Sequence, residues 1–362
     1  MKILIGGGGT GGHIYPALAL ARYARSKDSA IDVLFVGSAA GLESKIVPDS
    51  GFKLITIPAS GFRRSFKQLG LFIKDFLRGV RRSLIIINDY QPNVVLGTGG
   101  YVAAPLVMSA LLKRRPVVLH EQNARPGLVN RWFAPFAGRV CLSFAETAKK
   151  LPPFSKPLFT GNPRASEVSA LDREEGCRHF GLDPGGKTIL IYGGSRGALK
   201  LNQVVSAYLK EKLLPEGVNL IYVTGDIYYD EVAAELAELP GGVLLFSYLA
   251  EMPEALAAAD LAVTRSGATT LAEITALGIP ALLVPSPNVV DNHQYYNARI
   301  LSDRGAAVLI EEKDFDQIRL QKEIDRLIGT PELLEEMSEC SKKMGVTDAA
   351  EKLYRCLQEV AV

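Results

Sequence analysis

The chain has 362 residues, more than one hydrophobic core usually serves, so two domains are expected. Hydrophobic residues make up 48% of it and charged residues 22%, a balance that excludes a disordered or fibrous protein. The net charge of +2 conceals a division: residues 1–162 hold 22 Lys and Arg against 8 Asp and Glu, the remainder 19 against 31, so only the first part suits an extended anionic surface.

At the N-terminus, Lys2-Ile-Leu-Ile-Gly is too short an apolar run for the core of a signal peptide, so a protein that stays in the cytoplasm is expected. The run reads as a strand that enters a glycine loop and then a helix over Tyr15–Ala24. Gly6, Gly8 and Gly11 match the G-x-G-x-x-G of dinucleotide sites. That fingerprint also needs an acidic residue closing the second strand, and Val33–Val36 ends in Gly37-Ser38, which argues against NAD.

Between Phe62 and Leu84 stand Arg63, Arg64, Lys67, Lys74, Arg78, Arg81 and Arg82, with Asp75 alone opposing them. At 100° per residue the cations gather on one side, and Leu69, Phe72, Ile73, Phe76, Leu77 and Val80 on the other. Packing on a sheet accounts for much of the apolar side. The excess of cations predicts a helix on an anionic membrane surface, each basic group contributing about 1 kcal/mol there. Nucleic acid is disfavoured, because aromatic residues are not interleaved with the cations. The longest largely apolar stretch, Tyr101 to Leu112, contains Pro105 and falls short of the roughly 20 residues that span a bilayer. Membrane contact is therefore expected to be peripheral.

Val94–Leu96 leads into Gly97-Thr-Gly-Gly-Tyr101, a loop whose Gly99, Gly100 and Tyr101 offer amides suited to a pyrophosphate. Val117–Leu119 leads into His120-Glu121-Gln122-Asn123. Leu151-Pro-Pro-Phe-Ser-Lys-Pro, followed by Gly161-Asn-Pro, is proline-punctuated and is the expected linker, dividing 1–162 from 163–342. Gly181-Leu-Asp-Pro-Gly-Gly-Lys187-Thr188 matches the P-loop spacing, yet a strand follows its lysine where the P-loop needs a helix start.

Lys187-Thr-Ile-Leu-Ile-Tyr-Gly-Gly-Ser-Arg-Gly echoes the opening strand and loop, so the two halves are expected to be similar domains. Leu220–Val223, Val243–Phe246, Leu261–Val263 and Ala281–Val284 continue the pattern of short apolar runs between helices, the mark of parallel strands buried on both faces. The predicted fold class is α/β, with two Rossmann-like doubly wound domains facing across a cleft. Gly193–Gly197 and Thr264–Thr270 each link a strand to a helix and can set amides around an anion, the helix dipole adding about 0.3–2 kcal/mol. Glu273 is expected in the first turn of the second helix, where a carboxylate can accept from both hydroxyls of a ribose at about 1.5–3 kcal/mol for each bond. Asp314-Phe-Asp316 reads as a helix cap rather than a metal pair. Cys141, Cys177, Cys340 and Cys356 lie far apart with no C-x-x-C, which predicts buried free thiols and neither a zinc site nor disulfides. The chain ends in a helical pattern from about Pro331, and the last stretch, about 343–362, is open between the two domains and a candidate to pack back on the first.

Taken together, six segments resemble the MurG family, the N-acetylglucosaminyltransferases of bacterial peptidoglycan synthesis, over nearly the whole chain. They are Gly7-Gly-Gly-Thr-Gly-Gly-His13-Ile-Tyr-Pro-Ala-Leu-Ala, Gly97-Thr-Gly-Gly-Tyr-Val, His120-Glu-Gln-Asn123, Gly193-Gly-Ser-Arg-Gly-Ala, Arg265-Ser-Gly-Ala to Glu273, and Asp291-Asn-His-Gln294-Tyr-Tyr-Asn-Ala. The resemblance implies a GT-B fold with UDP-N-acetylglucosamine held mainly by the second domain and the undecaprenyl-linked acceptor, lipid I, by the first. It implies no cofactor, no bound metal, and a place at the cytoplasmic face of the plasma membrane. It further implies that Ser195 and the run Ala268, Thr269, Thr270, Leu271, Ala272 and Glu273 contact the nucleotide, that Leu249 borders the uracil, and that Gln294 and Asn123 read sugar hydroxyls. Thr10, Gly11 and Gly12 would close on the donor from the first domain. The family often shows Gly-Asn-Pro-Val-Arg; here Gly161-Asn-Pro-Arg164-Ala165 moves the arginine one place earlier and leaves open whether Arg164 reaches the diphosphate.

The implied chemistry is an inverting attack by the C4 hydroxyl of the acceptor's N-acetylmuramoyl sugar, expelling UDP. A base must take the hydroxyl proton. His13, just past the first glycine loop, is the first candidate because an imidazole near neutral pKa suits the task, and Glu121 is the alternative. A related glycolipid transferase, a UDP-sugar epimerase or a non-catalytic UDP-sugar-binding membrane subunit would share the donor loops.

Overall fold

The computed structural model describes residues 1–362 apart from 62–65, 195–196, 212–216, 237 and 239–240, and apart from the side chains of 66–69. The chain forms two compact units, Met1–Ser166 with Asp348–Val362, and Glu167–Thr347.

The first unit holds strands β1 (Lys2–Gly7), β2 (Asp32–Gly37), β3 (Lys53–Thr56), β4 (Val94–Gly99), β5 (Val117–Glu121), β6 (Arg139–Leu142) and β7 (Pro157–Phe159). They pair in parallel in the order β3-β2-β1-β4-β5-β6-β7. Alternate residues serve opposite faces, and helices cover both, which is why the strands are apolar throughout. Leu4, Val36 and Val95 pack with Leu106 and Val107 of the helix Ala103–Leu112, whereas Ile3, Ile5, Val33 and Phe35 pack with Ile14 and Leu18 of the helix Gly11–Lys27.

Leu353, Tyr354, Cys356 and Leu357, from the helix Ala349–Val360, join that second cluster, so the chain end left open by the sequence returns to the first unit. There the Cys356 and Cys141 sulfurs lie 3.5 Å apart as free thiols. Cys177 is also buried, whereas Cys340, expected inside, is half-buried. The expected linker is partly an edge strand instead: Pro157–Phe159 pairs with β6, and the lack of a proline N–H costs nothing at the start of an edge strand.

The second unit holds β8 (Lys187–Tyr192), β9 (Val218–Val223), β10 (Val243–Phe246), β11 (Leu261–Thr264), β12 (Ala281–Leu283) and β13 (Ala307–Leu309), parallel in the order β10-β9-β8-β11-β12-β13. Lys187 opens β8, so the P-loop match is a turn, closed by Asp183 Oδ1 accepting from the Gly185 N–H at 2.9 Å. Asp316 caps the helix Gln317–Ile328 by accepting from the Arg319 N–H at 2.8 Å.

The basic segment forms the helix Phe66–Tyr90. Its C-terminal half is anchored by buried Gly79, Ser83, Ile86 and Ile87, and a side chain on Gly79 would meet the Pro58 carbonyl at 2.6 Å. Towards its N-terminus Leu71, Ile73 and Leu77 are 53%, 49% and 61% exposed, beside exposed Lys74, Arg78, Arg81 and Arg82. Sheet packing therefore explains only part of the apolar side, and Ile73 and Leu77 belong to the outer surface. Leu112, ending the neighbouring helix Ala103–Leu112, is exposed as well. Arg63, Arg64 and the Lys67 side chain lie outside the described residues. Among the described residues no helix is long and apolar enough to cross a membrane.

Candidate active site

In each sheet the strand order reverses once, between β1 and β4 and between β8 and β11. Loops leaving the carboxyl ends of strands at such a reversal diverge and open a crevice, the usual ligand site of this fold.

In the first unit the facing loops run Gly8–Thr10 after β1 and Gly100–Val102 after β4. Gly99 and Gly100 have φ of +96° and +77°, and a side chain on Gly100 would lie 2.4 Å from the Gly8 carbonyl oxygen. Only glycine permits that approach. His13, in the first turn of the helix Gly11–Lys27, is half-buried against these loops. Its Nδ1 lies 3.1 Å from the Gly8 carbonyl and 3.2 Å from Thr10 Oγ1. A carbonyl can only accept, so Nδ1 carries a proton, and in the neutral ring Nε2 is the nitrogen with the lone pair. Thr98 Oγ1 donates to the His13 carbonyl at 2.9 Å, and Nε2 lies beside Gly99, where an added Cβ would stand 3.1 Å away. An imidazole held in this tautomer at the crevice can accept a proton from a hydroxyl. Thr10 and Gly12 are exposed; Gly11 and Tyr101 are half-buried.

Glu121 is differently placed. It is buried, with Oε1 accepting from the Asn123 N–H at 2.9 Å, and Oε2 from the Gly127 N–H at 2.9 Å and Asn130 Nδ2 at 2.7 Å. Burial pushes its carboxyl up, against the pull of these donors. Both oxygens are engaged in shaping the loop from Gln122 to Gly127, which leaves His13 the better placed of the two candidate bases. Asn123, half-exposed on this loop, also accepts from Thr147 Oγ1 through its carbonyl at 3.0 Å. The adjacent His120 is buried, its Nε2 donating to the Gly161 carbonyl at 3.1 Å while Nδ1 accepts from Gln122 Nε2 at 3.1 Å; burial lowers its pKa to about 4. Arg164 belongs to the first unit, its guanidinium 5.8 Å from the centre of the Tyr15 ring.

The sequence reading missed Glu43. It starts the helix Glu43–Asp49, is fully buried, and accepts from the Gly9 N–H at 2.9 Å through Oε2 and from the Ser38 N–H and Oγ at 2.8 and 2.7 Å through Oε1. Side chains on Gly8, Gly37 or Gly41 would collide with it at 2.4, 2.4 and 2.2 Å. The glycines were the available signal. The first glycine turn is thus already occupied by a carboxylate of the protein, an arrangement hostile to a dinucleotide pyrophosphate.

In the second unit the turn after β8 passes Gly194 and Gly197 at φ of +87° and +70°; Ser195, with Arg196, lies outside the described residues. After β11, Arg265 donates to the Val284 carbonyl at 2.9 Å and pairs with Glu312, so its charge is spent within the fold. The helix Ala268–Leu277 follows Gly267, which supplies no side-chain cap, so its first amides suit an external anion. Because the helix begins at Ala268, Glu273 stands in the second turn and not the first; it is buried, and its charge, after burial itself, raises the Tyr192 hydroxyl pKa. Leu271 is 1% exposed and its N–H bonds the Gly267 carbonyl at 3.0 Å. Its amide is thus engaged within the helix and its side chain lies in the core. Ala268 and Leu249 are buried, and Thr269, Thr270 and Ala272 half-buried. Gln294 Oε1 accepts from the Ser286 N–H at 2.9 Å, which orients its NH2 end, and its neighbours Asn292 and Tyr295 line a cavity of about 350 Å³. Among the described residues no group of three or more His, Cys, Asp or Glu could hold a metal ion.

The family models of the glycosyltransferase family 28 N-terminal and C-terminal domains match residues 3–142 and 188–353. A protein of Halalkalibacterium halodurans named UDP-N-acetylglucosamine--N-acetylmuramyl-(pentapeptide) pyrophosphoryl-undecaprenol N-acetylglucosamine transferase is 44% identical over 364 residues, covering 100% of both chains. The crystal structure of Acinetobacter baumannii MurG matches with a TM-score of 0.79 and 27% identity over 99% of each chain. The chain belongs to the MurG family. A Bacillus pumilus protein with the same name as the first relative is 42% identical over 99% of each chain. The two Rossmann-like units form the GT-B architecture of the MurG family. The family's C-terminal match ends at residue 353, within the helix Ala349–Val360 that packs on the first unit.

Proposed function

We propose that this chain transfers N-acetylglucosamine from UDP-N-acetylglucosamine to the C4 hydroxyl of the N-acetylmuramoyl sugar of lipid I, with inversion, giving lipid II and UDP. Identity of 44% along the entire length to a relative of that named activity carries the reading. The geometry of each unit supports it.

The second unit, Glu167–Thr347, binds the donor. Amides at the start of the helix Ala268–Leu277, together with Ser195, take up the charge of the departing diphosphate, so no bound ion is needed. Glu273 accepts from the ribose hydroxyls, the loop at Leu249 borders the uracil, and Gln294 and Asn123 read the sugar. The first unit binds the acceptor: Gly99, Gly100 and Tyr101 meet its pyrophosphate, Thr10, Gly11 and Gly12 meet the donor sugar, and His13 Nε2 takes the C4 proton. Arg164 stabilises the diphosphate.

A polyprenyl tail keeps the acceptor in the bilayer, so its enzyme works at that surface. Exposed Leu71, Ile73, Leu77 and Leu112 among Lys74, Arg78, Arg81 and Arg82 suit insertion at an anionic interface. Arg63, Arg64 and Lys67 add to the cations of this segment in the sequence, and the site is the cytoplasmic leaflet of the plasma membrane.

The test is incubation of the purified chain with labelled UDP-N-acetylglucosamine and lipid I in excess chelator. Label is expected in the lipid product. Activity that disappears with the chelator would remove the helix-start account, and a folded chain that transfers nothing would remove the reading as a whole.

A further inference from the structure

We infer that Glu43 is a positioning residue: a buried anion that grips one end of the Gly8–Gly9 peptide and thereby decides which nitrogen of His13 is the base. The inference rests on the proposed role of His13.

The Gly9 N–H donates to Glu43 Oε2 at 2.9 Å, and the Gly8 carbonyl lies 3.1 Å from His13 Nδ1. These two groups belong to a single peptide unit. In a planar trans peptide the N–H and C=O point in opposite directions, so a carboxylate holding the N–H on one side aims the carbonyl to the other. Glycines on both sides of the unit, with Gly9 at φ +84°, give it unusual freedom to rotate. Were it to flip, an N–H would face Nδ1, which would then accept; the ring proton would move to Nε2, and the nitrogen beside Gly99 would lose its lone pair. Glu43 itself is pinned by the Ser38 N–H and Oγ, and Gly37 and Gly41 leave the space it fills. Three donors to one buried carboxylate are what makes burying its charge tolerable.

The decisive measurement is the 15N NMR tautomer of His13 in the full chain without substrates, alongside kcat, KM and melting temperature. In the native chain Nδ1 is expected to be protonated. In Glu43→Gln one amide cannot serve three donors; Nε2-protonated imidazole should grow and kcat should fall roughly ten- to a hundredfold with the KM for UDP-N-acetylglucosamine within about twofold. Gly41→Ala sets a methyl 2.2 Å from Oε2, displaces the carboxylate without removing its charge, and should do the same, so it decides the matter if Glu43→Gln does not fold. An unchanged tautomer in a folded variant overturns the inference whatever happens to kcat, and so does an unchanged kcat. Absence of turnover in the native chain would instead count against the transferase reading, because the tautomer is measured without substrate.

Discussion

At the scale of single residues, the Gly8 carbonyl leaves His13 one usable nitrogen, and the orientation is set before any sugar arrives. Replacing His13 by Ala is expected to lower kcat by roughly 10²–10⁴-fold with UDP affinity by calorimetry unchanged, and near-normal turnover would remove it as the base. Glu273→Gln should act on the other substrate. The loss of charge-assisted bonds to ribose, about 1.5–3 kcal/mol each, is expected to raise the donor KM tenfold or more while the acceptor KM stays put. His13 and Glu273 can be singled out in the sequence because each follows a glycine loop. The commitments of Glu121 cannot be read there, since its partners Gly127 and Asn130 meet it only after the loop folds back. Glu43 was hidden for a similar reason: its turn partner, Gly9, comes from a distant loop.

At the scale of elements, the helix Phe66–Tyr90 carries two tasks along one length. Its C-terminal half is structural, and its N-terminal half presents apolar and basic side chains together. Lys74→Ala with Arg78→Ala should weaken sedimentation with anionic vesicles by on the order of tenfold to thirtyfold, at about 1 kcal/mol per cation, and binding indifferent to salt and to anionic lipid would sink the assignment. Most strands buried on both faces could be read from their apolar runs, but Arg139–Leu142, short and led by an arginine, could not. Lys53–Thr56 and Pro157–Phe159 escaped because they are sheet edges, open to solvent along much of their length, and Ala307–Leu309 escaped as a short edge of the second sheet. The turn holding Glu273 was misjudged because the helix is capped by Gly267, with nothing in its side chain to mark the boundary.

For the whole molecule, the doubly wound pair followed from the repeated strand and glycine loop, whereas the return of the last helix did not, since an amphipathic pattern says which face is buried and not against what. Acid should reveal the stress in the first unit. The unfolded chain protonates His120 near 6.5 and the folded chain only near 4, so the unfolded state binds more protons between those values and stability falls as pH falls through that window. The loss reaches about 3 kcal/mol below pH 4. Denaturant titrations should show His120→Gln lacking this component, and identical pH slopes in both proteins would contradict it. Leu353→Ala, which empties part of the joint with Ile14 and Leu18, is expected to cost about 2–5 kcal/mol in the same assay.

The return of the helix Ala349–Val360 also sets an order of assembly. A ribosome issues a chain from its N-terminal side, so the nascent lobe that bears His13 must wait, one flank uncovered, while the second lobe is made. Its missing flank emerges only after that lobe, and completion of the half begun first follows synthesis of the half begun second.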